Sequence, residues 1–336
     1  MPFNLANLET SEGRTEPIPT LHSEFPLIID NTAREQFFTC PMKFRYSTIG
    51  KLQPLRKSIH LHAGGAYAAG LEVIRKSFYD LHMSEEDSLL AGVETCIRFY
   101  GDYEPHPNDT KTCERMVGAL ASYVAQYPLA TDPIKPYRYS PTKSAIEFTF
   151  AIPLEDCLHP VTKEPLLYAG RFDMLAVRND ILFVEDDKTT SQLGPQWGNQ
   201  WDLNSQFTGY IWAAQQFDLP VAGAIIRGQS ILKTSYGHAQ VVTYRPDWMI
   251  ERWHEQLVRD VQRAIRCWEE DRFDFAIGAT CTAYSGCEFK TLCTARNPLD
   301  WLPHYSQRHW NPTEKDPEAP LTETVVKGAT IEGLPL

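Results

Sequence analysis

The chain has 336 residues, of which 43% are apolar or aromatic and 12% aromatic, enough to bury a sizeable core and too many for a disordered composition. A formal net charge of -11 excludes a simple basic protein that coats nucleic acid, though a metal site gathers carboxylates and a nucleic-acid groove needs only local positive charge. No run approaches 18 apolar residues, so no membrane span is expected.

The start, MPFNLANLETSEGRTEP, lacks a basic segment followed by an apolar run, so a signal peptide is not expected and a cytoplasmic location is. Residues 1–25 read as a flexible arm and 311–336, rich in Pro, Thr and Glu, as a flexible tail. Between them a single domain is expected over 26–310, with a helical part at 26–140, a catalytic core at 141–275 and a cysteine loop at 276–295. In the helical part, Asn31–Phe44 reads as a capped helix. Residues 63–82, 86–100 and 109–127 carry apolar side chains at helical spacing.

The period changes near Ser144. Ala145–Pro153 alternates like a strand, and Tyr168–Val177 and Ile181–Lys188 form a hairpin around the turn Arg178-Asn179-Asp180. A helix over Asp202–Phe217 follows, then strands over Val221–Leu232 and Ala239–Tyr244, and a long amphipathic helix over Pro246–Asp271. The fold class is therefore α/β (α+β), a central mixed sheet flanked by helices with a helical N-terminal region.

Chemistry concentrates on the hairpin. In Phe183-Val184-Glu185-Asp186-Asp187-Lys188 the side chains alternate between faces, so Asp186 and Lys188 share one face while Glu185 and Asp187 take the other. Asp173 on the preceding strand can approach Asp186 across the pair. Two carboxylates with a lysine suit phosphodiester hydrolysis. Asp173 and Asp186 offer hard oxygen ligands to one or two Mg²⁺ or Mn²⁺ ions, with a main-chain carbonyl at Asp187 completing the set. Lys188 can orient or deprotonate the attacking water, or stabilise charge on the phosphate. Asp-x-Lys alone is usually a solvated strand end. Here it ends the apolar run Ile181–Val184, and three consecutive acids repel one another unless a cation is near.

Cys281, Cys287 and Cys293 follow one another with five residues between each pair, in a loop containing glycine, and Cys40 stands in Cys40-Pro41-Met42-Lys43-Phe44. Three clustered cysteines without an export signal suggest a metal site, zinc or an iron–sulfur cluster. Cys96, Cys113, Cys157 and Cys267 are isolated and read as buried thiols.

Gly170-Arg171-Phe172-Asp173 followed by Asp186-Asp187-Lys188-Thr189 resembles the PD-(D/E)XK nuclease superfamily in its RecB-like branch, which carries Gly-Arg-apolar-Asp and then Asp-x-Lys-Thr at the end of the next strand. The same branch has Gln-x-x-x-Tyr on the following helix, matched by Gln206 and Tyr210 on one helix face. The resemblance spans about residues 37 to 293. It implies a metal-dependent exonuclease acting on DNA ends or single strands, with Gln206 and Tyr210 supporting substrate and Trp197 and Trp201 candidates for stacking on bases. Relatives carry Gly-x-x-x-His-x-x-Leu-Glu in an early helix; here the stretch is Gly64 to Glu72, with Ala68 at the histidine position and His62 nearby but out of register. Glu147 is a further acidic candidate on the first strand. AddB and the CRISPR-associated exonucleases of this branch hold a [4Fe–4S] cluster on one early and three late cysteines, implying Cys40, Cys281, Cys287 and Cys293, although the family's spacing before the last pair is two residues rather than five. Zinc is the alternative occupant.

The absence of helicase motifs fits a stand-alone or partner-recruited nuclease, encoded by a phage or mobile element and working with a recombination or replication protein. The competing reading is a nucleic-acid-binding or assembly protein that keeps the fold without cleaving. A redox enzyme is disfavoured, because neither Gly-x-Gly-x-x-Gly nor Cys-x3-Cys-x2-Cys occurs.

Overall fold

A computed structural model of the chain describes residues 17–55, 58–276, 278–282 and 286–309, with the backbone of 324–326. Residues 1–16 of the expected arm at 1–25, and most of the expected tail, lie outside the described residues. In chain order come β1 (Ile28–Ile29), α1 (Asn31–Thr39), α2 (Pro41–Phe44), a π-helical turn (Arg45–Ile49), β2 (Leu52–Pro54), α3 (Ile59–Tyr79), α4 (Glu85–Tyr100) and α5 (Cys113–Gln126). They are followed by β3 (Lys135–Pro136), β4 (Ile146–Leu158), β5 (Pro165–Arg178), β6 (Ile181–Thr190), α6 (Pro195–Asn199), α7 (Ser205–Gln215), β7 (Val221–Ile231), β8 (Tyr236–Tyr244) and α8 (Asp247–Glu269). Short α9 (Lys290–Thr294), β9 (Tyr305–Gln307) and β10 (Thr324–Val326) complete the series.

The strands form a mixed sheet in the order β10-β4-β5-β6-β7-β8, with β1 and β3 also pairing with β5. β5 and β6 are antiparallel around a two-residue loop, Asn179-Asp180, both at positive φ, as tight hairpin turns require. β6 and β7 are parallel, which needs a crossover, and α6 and α7 supply it. This is the mixed α/β arrangement expected, with the strand, strand, strand, helix, strand order at its centre.

Two differences have local causes. The expected helix over Asn31–Phe44 is broken at Cys40, which is extended (φ -163°, ψ 108°) because the following proline disfavours the helical region. Pro41 then starts α2, where its missing N–H is no loss. At the other end, β10 adds a strand parallel to β4, with Thr324 opposite Thr149, where the sequence suggested only tail.

The chain divides into two compact units, one of Met1–Lys57, Pro153–Tyr168 and Glu255–Asn311, the other of Ser58–Ile152, Ala169–His254 and Pro312–Leu336. The second unit contains the helical core of Tyr67, Ile74, Cys96, Met116 and Leu120, and a sheet core of Ile146, Met174, Phe183 and Ile225. The first has its own apolar cluster of Tyr46, Leu52, Phe289, Leu292 and Tyr305. Among the described residues no helix is long and apolar enough to cross a membrane.

In the second unit α3 and α4 cross at Gly70 and Gly92. A Cβ on Gly92 would stand 2.3 Å from Ile74 Cγ1 and 2.5 Å from the Gly70 carbonyl oxygen. Alanine at 92 gains about 1 kcal/mol of helix propensity, but forcing a methyl against backbone costs about 1–3 kcal/mol and the helices cannot move apart without opening their core. Gly92→Ala is therefore expected to lower the unfolding midpoint in a thermal melt, despite its better helix propensity.

Candidate active site

The β5–β6 hairpin sets the geometry. Met174 pairs with Glu185, which brings Asp173 level with Asp186. Asp173 Oδ2 accepts a hydrogen bond from the Asp187 backbone N–H at 3.0 Å, tying the two strands at the point where the acids gather. Strand alternation then separates the four charged residues of β6 as expected. Lys188 Nζ meets Asp186 Oδ1 at 2.6 Å. Glu185 and Asp187 instead meet Arg75 of α3, whose Nη2 lies 2.8 Å from each carboxylate.

α7 covers the Asp186 face. Asn204 caps it by accepting from the Gln206 and Phe207 N–H groups, which fixes Gln206 in the first turn. Gln206 Nε2 donates to Asp186 Oδ2 at 3.4 Å and to the Tyr210 hydroxyl at 3.1 Å. The Tyr210 ring stands edge-on to Phe172 and Phe150, with centroids 5.2 and 5.9 Å away. Gly170 makes that approach available, since a Cβ there would lie 2.6 Å from Phe150 and 3.0 Å from Tyr210.

Asp186 is 1% exposed. Burial, then the charge of Asp173, pushes its carboxyl up to about 7, against the opposing pull of Lys188. Among the described residues its Oδ1 meets Lys188. Burial alone would lower the Lys188 pKa, but Asp186 and Asp173 outweigh it and the ammonium is held above its usual range. The acidic neighbourhood extends further than the sequence motifs. Glu147 pairs with Arg171 Nε at 2.6 Å, and Glu72 pairs with Lys76 at 2.7 Å. Burial drives the Glu147 carboxyl up to about 8, with Asp173 and Glu72 adding to the rise and Arg171 opposing it. Glu72 was visible in sequence only as the end of the Gly64–Glu72 stretch, and Arg171 only as a motif letter.

Beneath β6 the acids are answered by arginines. Arg75 also donates to the Tyr123 hydroxyl at 2.6 Å. Arg227 of β7 donates to Tyr123 at 2.8 Å, pairs with Asp132 at 2.7 Å and lies 3.7 Å from Glu185. The cation demanded by three consecutive acids is thus supplied for Glu185 and Asp187 by protein. The Asp187 side chain is committed to Arg75, leaving its main-chain carbonyl as the donor the sequence reading invoked.

Other candidates take structural places. His62 Nε2 is 2.9 Å from the Tyr100 carbonyl oxygen, and its ring stacks on Tyr103 at 4.3 Å. Trp197 and Trp201 are buried against one another, and Trp197 lies over Gly228, so neither presents a face for base stacking. In the first unit, Cys287 and Cys293 pack with Met42 against Phe289 and Tyr305. Burial raises the Cys293 thiol to about 12, and Cys287, Cys40 and Cys281 are near enough to raise it further. Cys281 Sγ donates to the Ala276 carbonyl at 3.4 Å. Among the described residues no group of three or more His, Cys, Asp or Glu side chains converges as a ready metal site.

The nuclease family model of the PD-(D/E)XK superfamily matches residues 31–294. The chain belongs to the PD-(D/E)XK nuclease superfamily. Similar solved structures include a candidate exonuclease of Eubacterium rectale, 11% identical with a TM-score of 0.44 over 84% of this chain and 92% of that one. Another is SSO0001, 12% identical with a TM-score of 0.31 over 68% of this chain and 85% of that one. No curated protein matches the sequence.

Arg75 is 3% exposed and faces two buried carboxylates. Removing one partner of a buried ion network leaves uncompensated charge, which costs about 3–5 kcal/mol. Arg75→Ala is expected to lose stability of that size in chemical denaturation, and a loss under about 1 kcal/mol would show that the network carries little.

Proposed function

We propose that the protein is a metal-dependent DNA nuclease of the RecB-like branch, an exonuclease acting on DNA ends or single strands, with Asp173, Asp186 and Lys188 as its reactive group. The observation that supports this most is Asp186, a buried carboxylate level with Asp173 and paired through Oδ1 with Lys188. Two carboxylates at that point repel each other, and a divalent cation relieves the repulsion. Hard oxygen donors suit Mg²⁺ or Mn²⁺, so Asp173, Asp186 and the Asp187 carbonyl are the residues that would hold the ion. When bound, such an ion supplies Lewis acidity and a water of lowered pKa, in the manner of two-metal phosphodiester hydrolysis.

The chain's own residues divide the remaining work. Lys188, held protonated by two acids, stabilises negative charge on the phosphate rather than taking a proton from water. Gln206 holds Asp186 Oδ2 and is itself held by Tyr210, so both act by fixing the carboxylate's orientation. Cys40, Cys281, Cys287 and Cys293 are proposed as the ligands of a [4Fe–4S] cluster, on the resemblance to AddB. Hydrolysis needs no electron transfer, so such a cluster serves to clip the first unit together. A recombination or replication protein is the partner class this reading expects.

The primary test is degradation of linear DNA in Mn²⁺. It is expected for the wild-type chain and lost in Asp186→Ala, while the melting temperature holds or rises as a buried charge is removed. Equal degradation by both proteins would overturn the site, and binding without cleavage by the wild type would favour the non-cleaving reading. For the cysteines, anaerobically purified protein is expected to be brown with about four irons per chain. A colourless protein containing zinc would replace the cluster with a zinc site.

A further inference from the structure

Three cations stand among the acids of this site besides the buried arginines. Lys188 pairs with Asp186, and Lys76 pairs with Glu72 on its own helix. Arg171 differs in exposure and in what its donors do. Its side chain is 40% exposed, against 31% for Lys188 and 21% for Lys76. It ion-pairs through Nε with Glu147, whose side chain is 6% exposed, while its terminal nitrogens hydrogen-bond to no described residue. The contact is an ion pair outside hydrogen-bond geometry at Glu147 Oε2, so it anchors the guanidinium by charge and leaves its N–H donors uncommitted to that carboxylate.

The backbone beneath this pair is unusual. Glu147 has φ of +52°, the left-handed region that a non-glycine residue in a strand rarely adopts. Its neighbours Ile146 and Phe148 both belong to buried packing. Such a conformation costs on the order of 1–3 kcal/mol and tends to persist where function requires it. What it achieves here is a buried carboxylate under a half-exposed guanidinium. That guanidinium lies two residues from Asp173 and within electrostatic reach of Asp173, Glu72 and Tyr210.

We propose that Arg171 binds a non-bridging phosphate oxygen of the substrate strand through its terminal N–H groups, with Glu147 as the positioning residue that anchors the guanidinium by charge. The inference rests on the nuclease reading of the same site and extends it to a substrate contact. A planar fork matches a phosphate in two parallel hydrogen bonds, which a lysine ammonium cannot reproduce. Glu147 meets Nε while the terminal nitrogens remain for a second anion, so one side chain can bridge a protein carboxylate and a substrate phosphate.

The test uses the full chain with Arg171→Ala, Arg171→Lys and Glu147→Gln. Four readouts are needed: kcat/KM for linear DNA in Mn²⁺, binding of a single-stranded oligonucleotide in Ca²⁺ across a salt series, Mn²⁺ affinity by calorimetry, and the melting temperature. Arg171→Ala is expected to lose about 10²-fold in kcat/KM, the loss typical of a removed charge-stabilising donor. Its binding should weaken with a salt slope reduced by about one. Arg171→Lys should restore the slope but not the rate. Glu147→Gln should lower the rate with the slope kept. Mn²⁺ affinity should not fall in either Arg171 variant.

Wild-type kcat/KM and salt slope in Arg171→Ala would overturn the proposal. So would a parallel fall in Mn²⁺ affinity, because Arg171 would then serve the metal carboxylates. If the wild-type chain binds the oligonucleotide but cleaves nothing, the nuclease reading fails while the salt slope still decides the contact. If it neither binds nor cleaves, both fail.

Discussion

The arrangement of the second unit depends on one buried side chain, Arg75. β6 carries three consecutive acids into the interior, and Glu185 is 0% exposed. Carboxylates in such surroundings are tolerated only when paired, because desolvation outweighs anything the backbone can return. Arg75 meets Glu185 and Asp187 together at 2.8 Å, and Arg227 approaches Glu185 from the neighbouring strand. Burial pushes both carboxyls up and the charge of Arg75 opposes it in each. With those two acids satisfied from one side of the strand, Asp186 on the other side meets a single protein cation, Lys188. The electrostatic asymmetry of the candidate site follows from the pleat of β6 and from which helix lies on each face.

The rest of the site is positioning by ordinary local rules. Asn179 and Asp180 accept positive φ and so close the hairpin in two residues, which sets the register that brings Asp173 level with Asp186. Asn204 caps α7 and thereby starts the helix so that Gln206 reaches Asp186. Gly170 lacks the Cβ that would strike Phe150 and Tyr210, and Tyr210 in turn anchors Gln206. Of these positioning residues only Asp180 carries charge, yet each fixes where a charged group stands.

Much of this was legible in the sequence, for a physical reason. Period-two alternation assigns faces without knowledge of the partners, so Asp186 with Lys188, and Glu185 with Asp187, separate on inspection. An i, i+4 pair such as Gln206 and Tyr210 is equally local. The partners across the sheet were not legible: Arg75 lies 110 residues from Glu185 in the chain, and no short-range pattern announces the pairing. Glu147 escaped because β4 is buried on both faces over Ile146–Ile152, where period-two alternation would leave one face to solvent. His62 and the two tryptophans show the opposite error. Their chemistry invited functional roles, and packing against Tyr103 and against each other absorbed them.

A chain of net charge -11, with Asp173 beside Asp186 and Glu147 and Glu72 within electrostatic reach of Asp173 or of one another, is a poor host for a polyanion in its bare form. Lys76, Lys188 and Arg171 each spend an interaction on one of those acids, so little positive field is left to attract a phosphate backbone at a distance. On the proposed reading, a divalent cation among the carboxylates changes the sign of that balance locally. Substrate and metal are then coupled ligands: each strengthens the other by the same factor, because the linkage is reciprocal. Long-range steering is weak in such a site, and short-range contacts from a few oriented donors carry the recognition. That places the demand for precision on groups such as Arg171, whose guanidinium is anchored by the charge of a buried carboxylate rather than by solvent, and it explains why a strained backbone at Glu147 is a reasonable expense for the fold.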